Sequence, residues 1–243
     1  MKVIILAAGQ GKRMDIPNGS RPKCLLEING RSILERLLKQ ISYLQIKDIT
    51  IVVGYKKQMI IDLIGKININ VKIVENHNYK KDTNILSLCL AIKNSISQFY
   101  LFEADCIFEN KCFDLIFNPK FKDKSVWYSK GLLKIEQYGG IVKANKMGVV
   151  QDLRIIDEYE AKYKYYNKLI GVMKVGRNQV NKFNSYLKKY CEENTKQYYH
   201  IPWIDNLQEL ESTLCDFGNL QVASVNNISE YRLAKEMFKD EAR

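Results

Sequence analysis

Apolar runs and amphipathic segments alternate along the first hundred residues. The run over 3–8 has no polar position and ends at Gly9, which is typical of a strand buried on both faces of a parallel sheet. A helix is predicted next, because apolar residues recur at helical spacing over 33–44 and Ser32 with Glu35 forms a capping-box pattern. Further strands are predicted at 49–53, 71–74 and 99–102, and further helices at 58–64 and 85–96. This alternation predicts a doubly wound, Rossmann-like α/β fold.

The second half of the chain has a different pattern. Short strand-like runs with few helices between them predict an antiparallel extension of the sheet, at 125–129, 140–144, 149–156 and 169–175. Helices are predicted at 179–191, 204–215 and 229–238, with a strand at 220–225. We expect one three-layer α/β/α domain over 1–243, with a mixed, mainly parallel central sheet and two halves at 1–110 and 111–243.

Composition and charge narrow the class of protein. Hydrophobic residues make up 46% and charged residues 27%, which excludes a disordered chain, a fibre and a membrane bundle. The net charge of +11 favours anionic partners such as phosphates, nucleic acid or an acidic membrane surface. The run over 3–8 is too short for a signal peptide, and no run approaches the roughly 20 residues of a bilayer span. We therefore expect a cytoplasmic protein with no membrane partner.

The cysteines indicate core thiols instead of a metal site. The six cysteines are scattered without a Cys-x-x-Cys pair, and the chain has only two histidines. A structural zinc site is therefore not expected, and the pattern favours reduced thiols of a cytosolic protein.

A glycine loop with two cations follows the first predicted strand. Gly9 and Gly11 let backbone N–H groups approach a phosphate or a base edge. The loop is neither a dinucleotide fingerprint, because Met14 replaces its third glycine, nor a P-loop. Lys12 and Arg13 stand inside it. On its own, the loop is equally compatible with a simple strand-to-helix turn that carries surface charges.

A second segment makes the motif specific. The chain reads L-A-A-G-x-G-x-R-M over 6–14 and P-K-x-L over 22–25, and it resembles the nucleotidyltransferases that activate sugar phosphates and related small phosphates. The resemblance implies that Arg13 and Lys23 contact the phosphates of a nucleoside triphosphate as catalytic cations. Such cations stabilise charge on the α-phosphate oxygens and on the departing pyrophosphate. The implied nucleotide contacts in this segment are Leu6, Ala7, Ala8, Gly9, Gly11 and Lys12.

Two positions are candidates for a metal site. Asp105 follows a hydrophobic strand, and the carboxyl ends of strands line the ligand crevice of an open α/β sheet. The resemblance assigns Asp105 as a Mg²⁺ ligand and places the second ligand after the last strand, where Asn227 fits best. Many relatives have an aspartate there, which leaves Asn226 and Glu230 as alternatives. Asn227 is also a good N-cap for the final helix.

The segment 79–88 is a candidate base-binding loop. Asp82, Thr83 and Asn84 would start a helix well whatever the function. The segment is similar to the nucleobase loop of cytidylyltransferases that act on phosphocholine and phosphonates. We accordingly expect Thr83, Asn84 and Ser87 to contact the nucleotide, because such side chains offer donors and acceptors to a base edge. The same loop serves uracil and thymine in relatives, and Asn84 could flip to suit either base.

The sequence indicates the residues of the acceptor pocket less clearly than those of the nucleotide site. Aromatic faces could cage a quaternary ammonium, an acid could pair with an amine, and a lysine could anchor a phosphate. The predicted acceptor contacts are Tyr128, Lys130, Glu158 and Trp203. The alternative is that the dense aromatic set of the second half packs the core.

Together, these features predict a Mg²⁺-dependent nucleotidyltransferase. In the predicted reaction, a small phosphate or phosphonate of the phosphocholine type attacks CTP to give a CMP-linked product and pyrophosphate, in cell-surface polysaccharide or phosphonate biosynthesis. The half at 1–110 would bind the nucleotide and the half at 111–243 the acceptor. The runner-up is a sugar-1-phosphate uridylyl- or thymidylyltransferase, and a homodimer is left open. A basic nucleic-acid-binding protein on a degenerate α/β scaffold is less favoured, because binding alone needs no acid beside Arg13 and Lys23.

Overall fold

The computed structural model describes residues 1–11, 14, 21–93 and 97–239, and these contain a nine-stranded mixed sheet and two small two-stranded sheets. The strands are β1 (Lys2–Ala7), β2 (Glu27–Ile28), β3 (Arg31–Ser32), β4 (Asp48–Val53), β5 (Lys72–Glu75), β6 (Phe99–Glu103), β7 (Cys106–Phe108), β8 (Val126–Leu132), β9 (Gly139–Ala144), β10 (Val150–Ile156), β11 (Asn167–Val175), β12 (Thr213–Asp216) and β13 (Val222–Ser224). The helices are α1 (Ile33–Tyr43), α2 (Lys57–Ile67), α3 (Ile85–Ile92), α4 (Lys111–Ile116), α5 (Val180–Glu193), α6 (Ile201–Asp205) and α7 (Ile228–Met237).

The main sheet joins both halves of the chain. Its order is β10-β9-β11-β6-β1-β4-β5, with β8 paired to β11 and β12 paired to β8. The strands β6, β1, β4 and β5 run parallel, whereas β11 is antiparallel to β6, β8 and β9. This confirms the predicted Rossmann-like α/β fold with an antiparallel extension.

Helices cover both faces of the parallel part of the sheet. Along β1, Val3 and Ile5 pack in one hydrophobic cluster with residues of α1 and α2, and Ile4 packs in a second cluster with residues of α3 and α5. Because successive side chains of a strand point to opposite faces, a strand covered on both sides must be apolar at every such position. The three-layer arrangement thus follows from the unbroken apolar run.

The helix α1 begins with the cap that the sequence pattern predicted. The hydroxyl of Ser32 accepts a hydrogen bond of 3.2 Å from the Glu35 backbone N–H, which caps the helix. Of the described helices, none is long and apolar enough to cross a bilayer. The six cysteines are free thiols, and all but Cys89 are buried, as predicted for core thiols.

The predicted helix over 204–215 is wrong. The short helix α6 ends at Asp205, and the strand β12 begins at Thr213. β12 pairs in parallel with β8, which gives its backbone groups partners in the main sheet. Three leucines of this range contribute to one hydrophobic cluster although they lie outside α6: Leu210 is a buried member, and Leu207 and Leu214 are partly buried and pack against it.

Candidate active site

A cleft of about 370 Å³ opens at the carboxyl ends of β1 and β6. This is where ligands bind in open α/β sheets. Its walls come from the glycine loop, from the segment 79–87 at the start of α3, and from the residues that follow β6 and β13. The lining residues are Leu6, Ala7, Ala8, Gly9, Gln10, Gly11, Lys23, Cys24, Tyr79, Lys80, Asp82, Thr83, Asn84, Ser87, Glu103, Ala104, Asp105, Tyr198 and Asn226.

The glycine loop and Lys23 meet at one end of this cleft. Gly11 has a φ of +64°, and a Cβ atom at this position would lie 2.6 Å from Cγ of Lys23. Only glycine therefore combines this backbone conformation with the close passage of the lysine stem. Lys12, which was predicted to contact the nucleotide, and Arg13, which was predicted to contact its phosphates, lie outside the described residues.

Lys23 lies between two oxygen-bearing side chains. Its Nζ atom is 2.5 Å from Oδ2 of Asp105 and 3.4 Å from Oδ1 of Asn226. The Lys23 and Asp105 side chains are 17% and 18% exposed, so the pair is shielded from bulk solvent but open to the cleft. The structure thus brings together residues that are about 80 and 200 positions apart in sequence, and it holds a cation between them.

The structure distinguishes Asn227, the preferred candidate for a second metal ligand, from its alternative Asn226. The Oδ1 atom of Asn227 accepts a hydrogen bond of 2.8 Å from the Glu230 backbone N–H, so this residue caps α7. Asn226 lines the cleft, and its backbone N–H and Nδ2 both donate to Oε2 of Glu230, at 2.7 and 3.1 Å. The structure therefore corrects the sequence prediction, because helix capping takes the side chain of the second asparagine away from the cleft.

Glu103 was missed at the sequence level. Burial, together with the nearby Asp105 charge, raises the pKa of its carboxyl to about 7, and its Oε1 atom accepts a hydrogen bond of 3.1 Å from the Tyr199 hydroxyl. A Cβ atom on Gly171 would lie 2.6 Å from Oε2, so the neighbouring strand must carry a glycine there. The only signal in the sequence was the position of Glu103 at the end of a hydrophobic strand, shortly before Asp105.

The predicted base loop lines the cleft as expected. Thr83, Asn84 and Ser87 all contribute to the wall. The backbone N–H of Thr83 donates to the Thr195 carbonyl at 3.1 Å, which ties the loop to the segment that precedes α6. Asn84 accepts a hydrogen bond of 2.9 Å from the Tyr199 backbone N–H through Oδ1, and this contact orients its amide.

A second cavity of about 340 Å³ adjoins the cleft. Glu103, Tyr198 and Asn226 line both spaces and so form their common boundary. The other lining residues are Tyr138, Gly139, Gly140, Ile155, Ile156, Asp157, Lys168, Leu169, Ile170, Gly171, His200 and Ser224.

Two of the predicted acceptor contacts are core residues. Tyr128 is fully buried and its hydroxyl donates to the Ile116 carbonyl at 2.8 Å, whereas Trp203 packs edge-on against Trp127. Neither lines the second cavity, and the prediction for these two residues is wrong because their rings fill the space between helix and sheet. Lys130 and Glu158 are not among its described lining residues either.

The charged residues of the second cavity come from strand pairings that the sequence did not reveal. Lys168 stands opposite Ile141 across β11 and β9, and its Nζ atom donates to the carbonyls of Gly140 and Leu169 at 3.2 and 3.0 Å. Burial and the nearby Lys130 lower the pKa of Lys168 to about 8. Burial also lowers the pKa of His200 to about 3, so this ring is neutral at neutral pH.

Comparisons with known proteins show which enzymes this chain resembles. Residues 3–111 match the model of the MobA-like NTP transferase domain. The choline-phosphate cytidylyltransferase of Streptococcus pneumoniae is 27% identical over 99% of this chain and 100% of its own length. The 2-aminoethylphosphonate cytidylyltransferase of Lancefieldella rimae is 28% identical over 60% of this chain and 61% of its own.

The fold comparison extends over nearly the whole chain. The solved structure of the CTP:phosphocholine cytidylyltransferase from Streptococcus pneumoniae superposes with a TM-score of 0.83 at 25% identity, covering 98% of each chain. The chain therefore contains a nucleotidyltransferase domain at residues 3–111 that matches the MobA-like NTP transferase model, and the chain as a whole resembles the choline-phosphate and aminoalkylphosphonate cytidylyltransferases.

Proposed function

We propose that this protein transfers CMP from CTP to the phosphate or phosphonate oxygen of a small acceptor of the phosphocholine type, with release of pyrophosphate. The observation that carries the proposal is the cation of Lys23, held between Asp105 and Asn226 beside the glycine loop and next to a second cavity. A nucleoside triphosphate and an anionic acceptor both need cations at the point where they meet.

The residues around Lys23 fit a Mg²⁺ ion as the cofactor. Asp105 and Asn226 offer a carboxylate and an amide oxygen, and Mg²⁺ prefers oxygen ligands with one or two from the protein. Glu103 adds a carboxylate within 4.8 Å of the Asp105 ligand atom. When bound, the ion would neutralise charge on the phosphate oxygens. We infer that Asp105 and Asn226 hold it.

The chain's own residues supply the remaining catalysis in this proposal. Gly9 and Gly11 offer backbone N–H groups to the phosphates, and Lys23 stabilises the charge that grows on the α-phosphate oxygens. Arg13 is proposed to act on the leaving pyrophosphate. The acceptor oxygen is already anionic and competent as a nucleophile, so the reaction needs no dedicated general base.

The second cavity is the proposed acceptor site. An ammonium group has three N–H donors, and Lys168 uses two of them on backbone carbonyls, which leaves one for an anionic ligand. Asp157 and the ring of Tyr138 line the same cavity and suit an amine or ammonium group. The shared boundary at Glu103 would place the acceptor oxygen beside the nucleotide.

A pyrophosphate-release screen tests this function. The protein is assayed with CTP, UTP, dTTP and ATP against phosphocholine, 2-aminoethylphosphonate and hexose 1-phosphates. We expect the fastest turnover with CTP and an amine-bearing phosphate or phosphonate, and a raised acceptor KM in Lys168→Met but not in the exposed control Lys164→Met. A lead of UTP or dTTP with a hexose 1-phosphate would overturn the proposal in favour of a sugar-activating enzyme.

A further inference from the structure

Four hydrogen bonds converge on Asp82 just before α3. Its Oδ1 atom accepts from the Leu86 backbone N–H at 3.0 Å, and its Oδ2 atom accepts from Ser87 N, Ser87 Oγ and Asn76 Nδ2 at 2.9, 2.7 and 2.8 Å. Backbone and amide N–H groups only donate, so both carboxylate oxygens act as acceptors here. The hydroxyl proton of Ser87 must then point at Asp82.

This network determines what Ser87 can offer to the cleft. A serine hydroxyl has one donor and two acceptor positions. Ser87 is 3% exposed and lines the cleft; its donor goes to Asp82, and one acceptor position receives Asn76 Nδ2 at 2.9 Å. Asn76 cannot reverse its amide, because its Oδ1 atom accepts from the Asn78 backbone N–H at 2.9 Å. The capacity left to Ser87 is that of an acceptor.

Asn84 presents the opposite polarity in the same wall. Its Oδ1 atom accepts from the Tyr199 backbone N–H, and within the described ranges its Nδ2 atom makes no hydrogen bond. The amide is therefore oriented with its donor end available, which excludes the free flip that the sequence alone would allow. The polar wall at 84–87 combines one donor with one acceptor.

We propose that Asn76 and Asp82 are positioning residues that turn Ser87 into an acceptor, and that Ser87 and Asn84 together select cytosine over uracil and thymine. The inference rests on the proposed function and names the residues that set its base. Cytosine presents a 4-amino donor beside the acceptors N3 and O2, whereas uracil and thymine present a 4-carbonyl acceptor beside an N3–H donor. Pairing Ser87 with that carbonyl would take a hydrogen bond away from the buried Asp82 carboxylate.

A chemical double-mutant cycle tests the role of Ser87. The wild type and Ser87→Ala are compared with CTP and with 4-deamino-CTP, in which a hydrogen replaces the amino group. We expect the wild type to prefer CTP by about tenfold in kcat/KM and in Kd, and Ser87→Ala to lose that preference while its affinity for 4-deamino-CTP stays unchanged. The exposed control Ser42→Ala should behave like the wild type.

Two further variants test the orientation of the network. Asn84→Asp keeps an oxygen for the Tyr199 N–H but replaces the donor by an acceptor, so we expect the ratio of kcat/KM for CTP to that for UTP to fall by about tenfold or more. Asp82→Ala, where its melting temperature shows that it folds, removes the acceptor of the Ser87 hydroxyl, frees that hydroxyl to donate, and should lower the same ratio.

The outcomes separate this inference from the proposed function. If Ser87→Ala weakens CTP and 4-deamino-CTP equally, Ser87 only supports the fold and the inference is overturned, although wild-type turnover of CTP would still support the proposed function. If the wild type turns over no CTP with any acceptor, the proposed function fails. The binding cycle with the two nucleotides then still decides whether Ser87 reads the amino group.

Discussion

The stability of this protein should depend on the ionisation of His200. The imidazole is 9% exposed and stacks between Tyr199 and Trp127, with ring centroids 4.1 and 5.2 Å away. Burial, followed by the nearby charge of Lys168, lowers the pKa of His200 to about 3. An unfolded chain gives the same group a pKa of about 6.5.

The sign and size of the effect follow from proton linkage. Because the pKa is lower in the folded state, the unfolded state binds a proton first as the pH falls, and stability is lost between about pH 6.5 and pH 3. At pH 5 the unfolded state has gained about 2 kcal/mol from this one group, relative to pH 8. The loss is a sizeable part of a typical domain stability.

Urea unfolding at pH 8 and pH 5 measures this contribution of His200 to the free energy of unfolding. The wild type is compared with His200→Phe, which keeps an aromatic ring, and with His77→Gln, in which the second histidine, 78% exposed, is replaced. Other groups titrate in the same range, including Glu103, whose raised pKa acts in the opposite direction, so the difference between wild type and variant is the quantity to read.

We expect the wild type and His77→Gln to lose about 2 kcal/mol more than His200→Phe between the two pH values. Equal losses in the wild type and in His200→Phe would refute the reasoning. The same conclusion would follow if His77→Gln, and not His200→Phe, removed the pH dependence.

Four further predictions follow from the cleft and the charge. Lys23→Ala should lower kcat by on the order of 10² without changing the melting temperature, and an unchanged kcat would reject its proposed role. Asp105→Asn should weaken Mn²⁺ binding, measured by electron paramagnetic resonance, and leave activity that added Mg²⁺ restores only in part. Gly11→Ala should lower kcat more than Gly30→Ala; both glycines have positive φ, but only a Cβ atom at Gly11 would press on Lys23. With a net charge of +11, the protein should bind nucleic acid weakly and lose that binding steeply with salt, and tight sequence-selective binding at physiological salt would favour the nucleic-acid-binding alternative.

Much of the nucleotide-binding half could be predicted because its signals are local. The apolar run that became β1 is buried on both faces, and the cap at Ser32 depends on a residue three positions away. The segment over 204–215 shows the limit of such signals. Its apolar spacing suits a helix, but pairing with β8 provides hydrogen-bond partners that only the folded sheet can offer, and β12 forms there.

In the candidate site, too, some features could be predicted from the sequence and others were decided by the tertiary structure. The sequence by itself indicated that the glycine loop, Lys23, Asp105 and the segment 79–88 contribute to one cleft, because each lies in a contiguous motif beside a predictable element. Of the two neighbouring asparagines, only the tertiary structure decided that Asn226 faces the cleft, since the cap of α7 engages its neighbour.

The second cavity depended on the tertiary structure entirely. Its residues come from β6, β9, β10, β11 and β13 or the positions next to them, and from the segment before α6, and no short spacing in the sequence connects them. Lys168 reaches the cavity because β11 pairs with β9, and Glu103 fits because Gly171 lies beside it on the neighbouring strand. The polarity of Ser87 and Asn84 was likewise decided by partners brought close in the fold, because a hydroxyl or an amide takes its orientation from the groups that it meets.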